Sequence, residues 1–150
     1  MSRADTTRTY YLSGPMRGIP QYNFPAFHRI AKLLRAQGYR VISPAELDSD
    51  AVRVIAEHSR DGGECDRDGH LSGETPGDIL ARDVKILHDH TQGIIFIPGW
   101  ERSRGARLEA FTALLQPDFA FLHWDDNVEM AFSIARRAVQ DAIHAAWCEP

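Results

Sequence analysis

The chain has 150 residues, 43% of them hydrophobic and 25% charged, with a net charge of −4. That length suits one domain with its own core, and the acid excess excludes the general basic footprint of a protein that binds polymeric nucleic acid or a membrane surface. Cys65 and Cys148 have neither disulfide-framework nor zinc spacing, no apolar run reaches membrane-spanning length, and the N-terminus has no apolar signal core, so a reducing, cytoplasmic setting is expected.

Residues 1–8 are polar. Thr9-Tyr-Tyr-Leu-Ser13 is short and β-prone and stops at the breaker pair Gly14-Pro15, which makes it the first strand. A loop from Gly14 to Asn23 follows. Phe24, Phe27, Ile30, Ala31, Leu33 and Leu34 then repeat at helical spacing, with Asn23 as N-cap, Pro25 early and Gly38 just past the end. Tyr39 to Ser43 reads as a second strand, ended by Pro44. Residues 45–75 are the least patterned; Ala51 to His58 fits a short helix, and the glycine- and charge-rich run from Ser59 to Thr75 reads as a long loop or lid. Thr75-Pro76 gives an N-cap and a proline start to a helix reaching about His90. Ile94 to Pro98 is the third strand, Ser103 to Leu115 the next helix, Phe119 to Leu122 the fourth strand, and Asn127 to Trp147 a closing amphipathic helix.

Strand and helix alternate throughout. The expected fold is therefore α/β, a flavodoxin- or Rossmann-like three-layer sandwich around a four- or five-stranded parallel sheet, in a single domain. In such sheets ligands sit beyond the carboxyl ends of the strands. That rule lines up Ser13–Gly18, Ser43–Glu46 and Pro98–Ser103 along one edge.

Within that edge the stretch Pro98 to Glu109 is the most suggestive. Ser103 is positioned to cap the helix, and Gly105 and Ala106 precede Glu109 by four and three residues. Helical side chains lean toward the N-terminus, so Glu109 should stand at the rim of a shallow dent over two small residues, its ionised form favoured by the helix dipole. An ionised carboxylate suits attack on an electrophilic carbon. Asp83, beside Val84, Ile86 and Leu87, is a second carboxylate able to act as acid or to hold a sugar hydroxyl. Arg17, Gly18 and Ser103 together suggest a site for a 5′-phosphate. Two patterns are set aside. Glu64-Cys-Asp66-Arg-Asp68-Gly69 opens like a calcium loop but has Thr75 at the twelfth position, and His88 and His90 do not share a helix face. No metal and no cofactor are expected.

Tyr11-Leu-Ser-Gly14-Pro-Met-Arg17-Gly18, the Asp83 helix and Gly99-Trp-Glu-Arg-Ser103-Arg-Gly105-Ala-Arg-Leu-Glu109 resemble the nucleoside 2-deoxyribosyltransferase superfamily. A phage-associated branch with a Gly-Trp-x-x-Ser-x-Gly-Ala-x-x-Glu signature and the deoxynucleoside 5′-monophosphate N-glycosidases are similar. The resemblance spans roughly residues 9–122. It implies that Glu109 attacks the anomeric carbon of a deoxyribose, that Asp83 holds the sugar or protonates the base, and that Tyr11 lies near Glu109 and the sugar. Ser13, Gly14, Pro15, Arg17, Gly18 and Asn23, with Gly99, Trp100, Ser103, Gly105 and Ala106, are the implied substrate-binding residues. It also implies a homodimer or higher homo-oligomer, with Asn127 a candidate contribution from a neighbouring subunit. The expected activity is an N-glycosidase acting on a (deoxy)nucleoside 5′-monophosphate. A deoxyribosyltransferase acting on free nucleosides and a non-catalytic nucleotide sensor are the alternatives.

Overall fold

The computed structural model describes residues 5, 7–48, 50–63 and 75–148. The first strand, β1 (Thr9–Ser13), leads into helix α1 (Phe24–Ala36), strand β2 (Arg40–Ile42) and the short helices α2 (Pro44–Leu47) and α3 (Asp50–His58). Helix α4 (Pro76–His90), strand β3 (Gly93–Phe96) and helix α5 (Arg104–Leu114) follow. Strands β4 (Ala120–Asp125) and β5 (Met130–Ser133) and helix α6 (Arg136–Cys148) complete the described chain. The glycine-rich run expected as a loop lies, from residue 64 to 74, outside the described residues, and Cys65 and the calcium-like pattern lie there too.

The strands form one sheet in the order β2-β1-β3-β4-β5. The first four are parallel, with Tyr11 opposite Ile42 on one side and Ile94 on the other, and Ile94 opposite Phe121. The fold is the expected α/β sandwich, with five strands and one correction to its sheet: the fifth runs antiparallel to β4, Asp125 facing Met130. It occupies what sequence periodicity assigned to the start of the closing helix. Asn127 sits in the intervening turn, where its amide donates to the Asp125 carboxylate at 2.8 Å, and Glu129 adopts φ 51°. This Asx turn folds the chain back before a helix can begin, so the helix starts only at Arg136.

Alternation along each strand sends successive side chains to opposite faces. Tyr10, Leu12, Ile95 and Leu122 pack under α1 with Phe27, Ile30 and Leu34. Tyr11, Ile94, Phe96 and Phe121 face the other way, onto Leu87 of α4, Ala106, Ala110 and Ala113 of α5, and Val139 and Ile143 of α6. The three alanines recur at helical spacing on the buried side of α5 and let its backbone lie close to the sheet. Helix α5 packs between α4 and α6. No helix among the described residues is long and apolar enough to cross a membrane.

Two local signals operate as the sequence suggests. Thr75 and Asp78 form a reciprocal capping box at the start of α4, each side chain accepting the other's amide at 3.0 and 2.9 Å. Ser103 caps α5, its Oγ accepting from the Ala106 amide at 3.2 Å. Asn23 behaves differently. It is left-handed, with φ 59°, and caps nothing with its side chain; its amide donates instead to the Pro15 carbonyl at 2.9 Å.

Candidate active site

The strand order reverses direction between β1 and β3. From β1 the chain crosses to β2 by way of α1, on one face; into β3 it arrives by way of α4, on the other. Loops leaving the two strand ends therefore diverge, and a crevice opens at their carboxyl ends. A cavity of about 740 Å³ lies at this edge. Its walls come from the loop after β1 (Gly14, Met16, Arg17), Pro44 after β2, α4 (Pro76, Gly77, Ile79, Leu80, Asp83), and the β3–α5 junction with the first turns of α5 (Arg102 to Ala106, Leu108, Glu109).

Glu109 is the chemical centre of this cavity. The period of two along β1 places Tyr11 and Ser13 on the face that α5 covers, and both reach the same carboxyl group. The Tyr11 hydroxyl donates to Glu109 Oε1 at 2.8 Å, and the Ser13 hydroxyl donates to Oε2. Tyr11 and Ser13 are fully buried, and Glu109 is 7% exposed. The expected shallow dent with an ionised carboxylate at its rim is thus corrected on both counts. Glu109 lies deep in the wall, and burial, the largest influence, pushes its titration up to about 8 from the ordinary 4.5. Its bonds from Ser13 and Tyr11 pull the other way, and the charge of Asp83 pushes further up. A helix dipole is worth well under the desolvation of a buried carboxylate, which is why the dipole loses. Tyr11, raised well above its ordinary value by burial and then by Glu109 and Asp83, stays a neutral donor.

Asp83 projects from α4 into the same cavity and is also 7% exposed. The Arg82 guanidinium donates to its Oδ1 from Nε at 2.9 Å and from Nη2 at 2.6 Å. A carboxylate so held is suited to accept a hydrogen bond from a ligand hydroxyl and poorly suited to deliver a proton. Of the two roles open to Asp83 on sequence grounds, this geometry favours holding over protonating.

The loop after β1 is pinned from two sides. Gly14 lies against β3; a Cβ there would come within 2.7 Å of the Ile97 Cβ. Gln21, Tyr22 and Asn23 make three consecutive left-handed residues, with φ of 56°, 50° and 59°. Backbone bonds from Gly18 to the Gly62 carbonyl and from Gln21 to the Ser59 carbonyl fasten the loop to the chain after α3. Gly62 packs so closely that a Cβ would meet the Ile19 carbonyl at 2.3 Å. Arg17, exposed and on the cavity wall, is carried by this pinned loop. On the opposite wall Ser103 accepts an amide bond with its oxygen, which leaves the hydroxyl proton to donate outward. Gly105 presents open space where a side chain would stand.

Not every sequence candidate reaches the cavity. Glu109, Asp83, Gly14, Arg17, Ser103, Gly105 and Ala106 line it, with Tyr11 and Ser13 directly behind Glu109. Trp100 does not: it is buried in the core, stacked on Phe96 at 4.1 Å between ring centroids. Pro15, Gly18, Asn23 and Gly99 shape the loops without lining the cavity; Gly99, at φ 90°, turns the chain after β3. Asn127 is exposed in the β4–β5 turn, apart from the lining residues. The residues missed from sequence are Arg82, Arg102, Arg104 and the apolar wall of Met16, Ile79, Leu80 and Leu108. Arg82 had one available signal, its place beside Asp83 in Ala-Arg-Asp. The apolar wall had none, because isolated apolar residues read as ordinary core positions.

A family model described as a domain of unknown function, DUF4406, matches residues 8–58. The match runs from β1 to α3 and includes Tyr11, Ser13, Gly14 and Arg17, but neither Asp83 nor Glu109. No curated protein and no solved structure matches the chain.

Proposed function

We propose that the protein is an N-glycosidase that cleaves the bond between base and sugar in a (deoxy)nucleoside 5′-monophosphate. The observation that carries this reading is the buried Glu109 carboxyl, gripped by Tyr11 and Ser13 and facing a cavity that also holds Asp83, Arg17 and Ser103. Glu109, once ionised, attacks the anomeric carbon, and the base leaves with the electrons of the N-glycosidic bond. The resulting glycosyl ester is hydrolysed by water, which returns the carboxylate and releases sugar phosphate. Burial makes the free carboxylate costly, so charge neutralisation during attack lowers the barrier from a raised ground state. Asp83 accepts a sugar hydroxyl. Arg17 and the outward-facing hydroxyl of Ser103, near the positive end of α5, hold the phosphate. The resemblance to the deoxynucleoside 5′-monophosphate N-glycosidases supports the same assignment. A homo-oligomer belongs to this reading, and the exposed Leu108, Phe111 and Leu115 along α5 are consistent with one.

One observation favours a second reading, a non-catalytic nucleotide sensor: a carboxyl titrating near 8 rests mainly protonated at neutral pH, with both oxygens already engaged. Incubating the protein with a panel of nucleosides and 5′-monophosphates, with and without a free acceptor base, separates the possibilities. Base release from monophosphates without acceptor supports the hydrolase. Release only with acceptor, and from free nucleosides, indicates a deoxyribosyltransferase. Binding without release at any pH up to 9 indicates the sensor.

A further inference from the structure

Arg82 occupies an unusual position. Its side chain lies between α4 and the chain after β2, and it reaches acceptors on both. Besides the two bonds to Asp83, Nη2 donates to Asp48 Oδ1 at 2.9 Å and Nη1 to the Leu47 carbonyl at 3.1 Å. The side chains of Asp48 and Asp83 are 9% and 10% exposed and that of Arg82 22%, so little solvent is at hand to screen this group. Arg82 thus bridges 35 residues of sequence and ties one cavity wall to the end of α2, the short helix that begins at Pro44, another lining residue.

Asp83 and Glu109 make the consequence chemical. Both carboxyls are nine-tenths buried and line one cavity, and the charge of Asp83 acts on Glu109. Among the described residues, the groups that bond to or act on Glu109 are the Tyr11 and Ser13 hydroxyls from β1 and Asp83 from α4. Arg17, Arg102 and Arg104 lie on the cavity walls. Arg82 is the cation bonded directly to Asp83. Two like charges in a site of low dielectric resist being ionised together unless a cation balances one of them.

We propose that Arg82 is a positioning residue for the Asp83–Glu109 pair: it fixes the Asp83 carboxylate in the cavity wall and balances its charge, so that Glu109 can ionise beside it. This rests on Glu109 being the nucleophile of the proposed glycosidase for its functional meaning, but not for its physical content. Arg82 touches neither substrate nor the reacting atoms. Lysine does not replace it fully, because a single ammonium cannot serve Asp83, Asp48 and the Leu47 carbonyl with the fixed fork of a guanidinium.

The test follows the Glu109 side-chain carboxyl by carbon-13 NMR across pH in the wild type, Arg82→Gln, Arg82→Lys and Asp83→Asn, with base release measured over the same range. In Arg82→Gln the upper midpoint of the carboxyl pair is expected to move up by about one unit or more, and base release at pH 7 to fall about tenfold or more. Arg82→Lys should move the midpoint in the same direction by less and recover part of the activity. Asp83→Asn should move it down. A Glu109 titration unmoved in folded Arg82→Gln overturns the proposal. Should that variant not fold, an unmoved titration in Arg82→Lys overturns it equally. If the wild type releases no base, the glycosidase reading fails while the titration still decides the role of Arg82. If base is released and the titration does not move, Arg82 alone is misassigned.

Discussion

The two ends of the sheet handle charge in opposite ways. At the amino edge a smaller cavity of about 340 Å³ lies among Arg8, Tyr10, Tyr39, Phe121 and Arg136. Its cations are committed to fixed partners. Arg136 donates to the carbonyls of Leu114 and Gln116 at 2.8 and 2.5 Å and sits 5.1 Å from the Phe121 ring centre. Arg8 donates to the Gln92 and Asp118 carbonyls at 3.1 and 3.3 Å. These arginines close strand and helix ends, and the arrangement serves stability. At the carboxyl edge two carboxyls are buried within one larger cavity, and one of them is driven to titrate near 8. Folding alone gains nothing from that. The difference teaches where to look for chemistry: the end at which electrostatic cost is retained rather than relieved.

The sharpest way to break this contrast is at Glu109. Glu109→Gln should lower base release by about a thousandfold or more, since the amide cannot attack carbon. The same change should stabilise the fold at alkaline pH. A carboxyl whose folded value is raised from 4.5 to about 8 leaves stability intact below pH 4.5 and removes it as pH climbs toward 8. The loss amounts to roughly a few kcal/mol, complete above pH 8. The glutamine variant lacks that slope, so thermal unfolding at pH 9 should find it several degrees more stable than the wild type, and at pH 4 no more stable. Equal melting temperatures at pH 9 would show that Glu109 carries no such burden.

Removing one hydroxyl is the next largest effect. Tyr11→Phe deletes a donor to the carboxylate and should reduce base release by about 10- to 100-fold, in line with ~1.5–3 kcal/mol for a hydrogen bond to a charged group. It should also move the rising limb of the pH–rate profile, expected near 8 in the wild type from the raised Glu109 value, to higher pH. A profile that falls through pH 8 instead would make Glu109 an acid rather than a nucleophile. Arg17→Ala should raise KM for 5′-monophosphates by about tenfold and leave that for nucleosides unchanged, by steady-state kinetics on paired substrates. Smallest in activity is the amino edge. Arg136→Ala should lower stability by about 1–2 kcal/mol in urea denaturation while base release per folded molecule stays within about twofold. A large activity loss there would erase the distinction between the two ends.

What could be read from the sequence was local chemistry. Ser103 as a cap, Thr75-Pro76 as a helix start and the strand at Thr9–Ser13 all depend on neighbours within a few residues, and all are found. Strand β5 was illegible because Met130-Ala-Phe-Ser133 becomes a strand only by pairing with β4 across an Asx turn. The site divides along the same line. Spacing brought Glu109 and its small neighbours into view, and the shared face of Tyr11 and Ser13 follows from the period of a strand. The ionisation of Glu109 did not follow, because burial is set by the packing of α5 on the sheet. Nor did the bridge from Arg82 to Asp48, whose partners are 34 residues apart in sequence. Trp100 is implied as a substrate-binding residue by the resemblance, yet the turn at Gly99 folds it onto Phe96 in the core.

The most direct test of Glu109 as nucleophile is to trap its ester. Incubation with 2′-deoxy-2′-fluoro nucleoside 5′-monophosphates, whose electron-withdrawing fluorine slows hydrolysis of the glycosyl ester, followed by intact-mass measurement and peptide mapping, should find one sugar phosphate on the peptide containing Glu109. The adduct should be absent from Glu109→Gln. Base release with no adduct, or an adduct that maps to Asp83 or survives Glu109→Gln, contradicts the assignment.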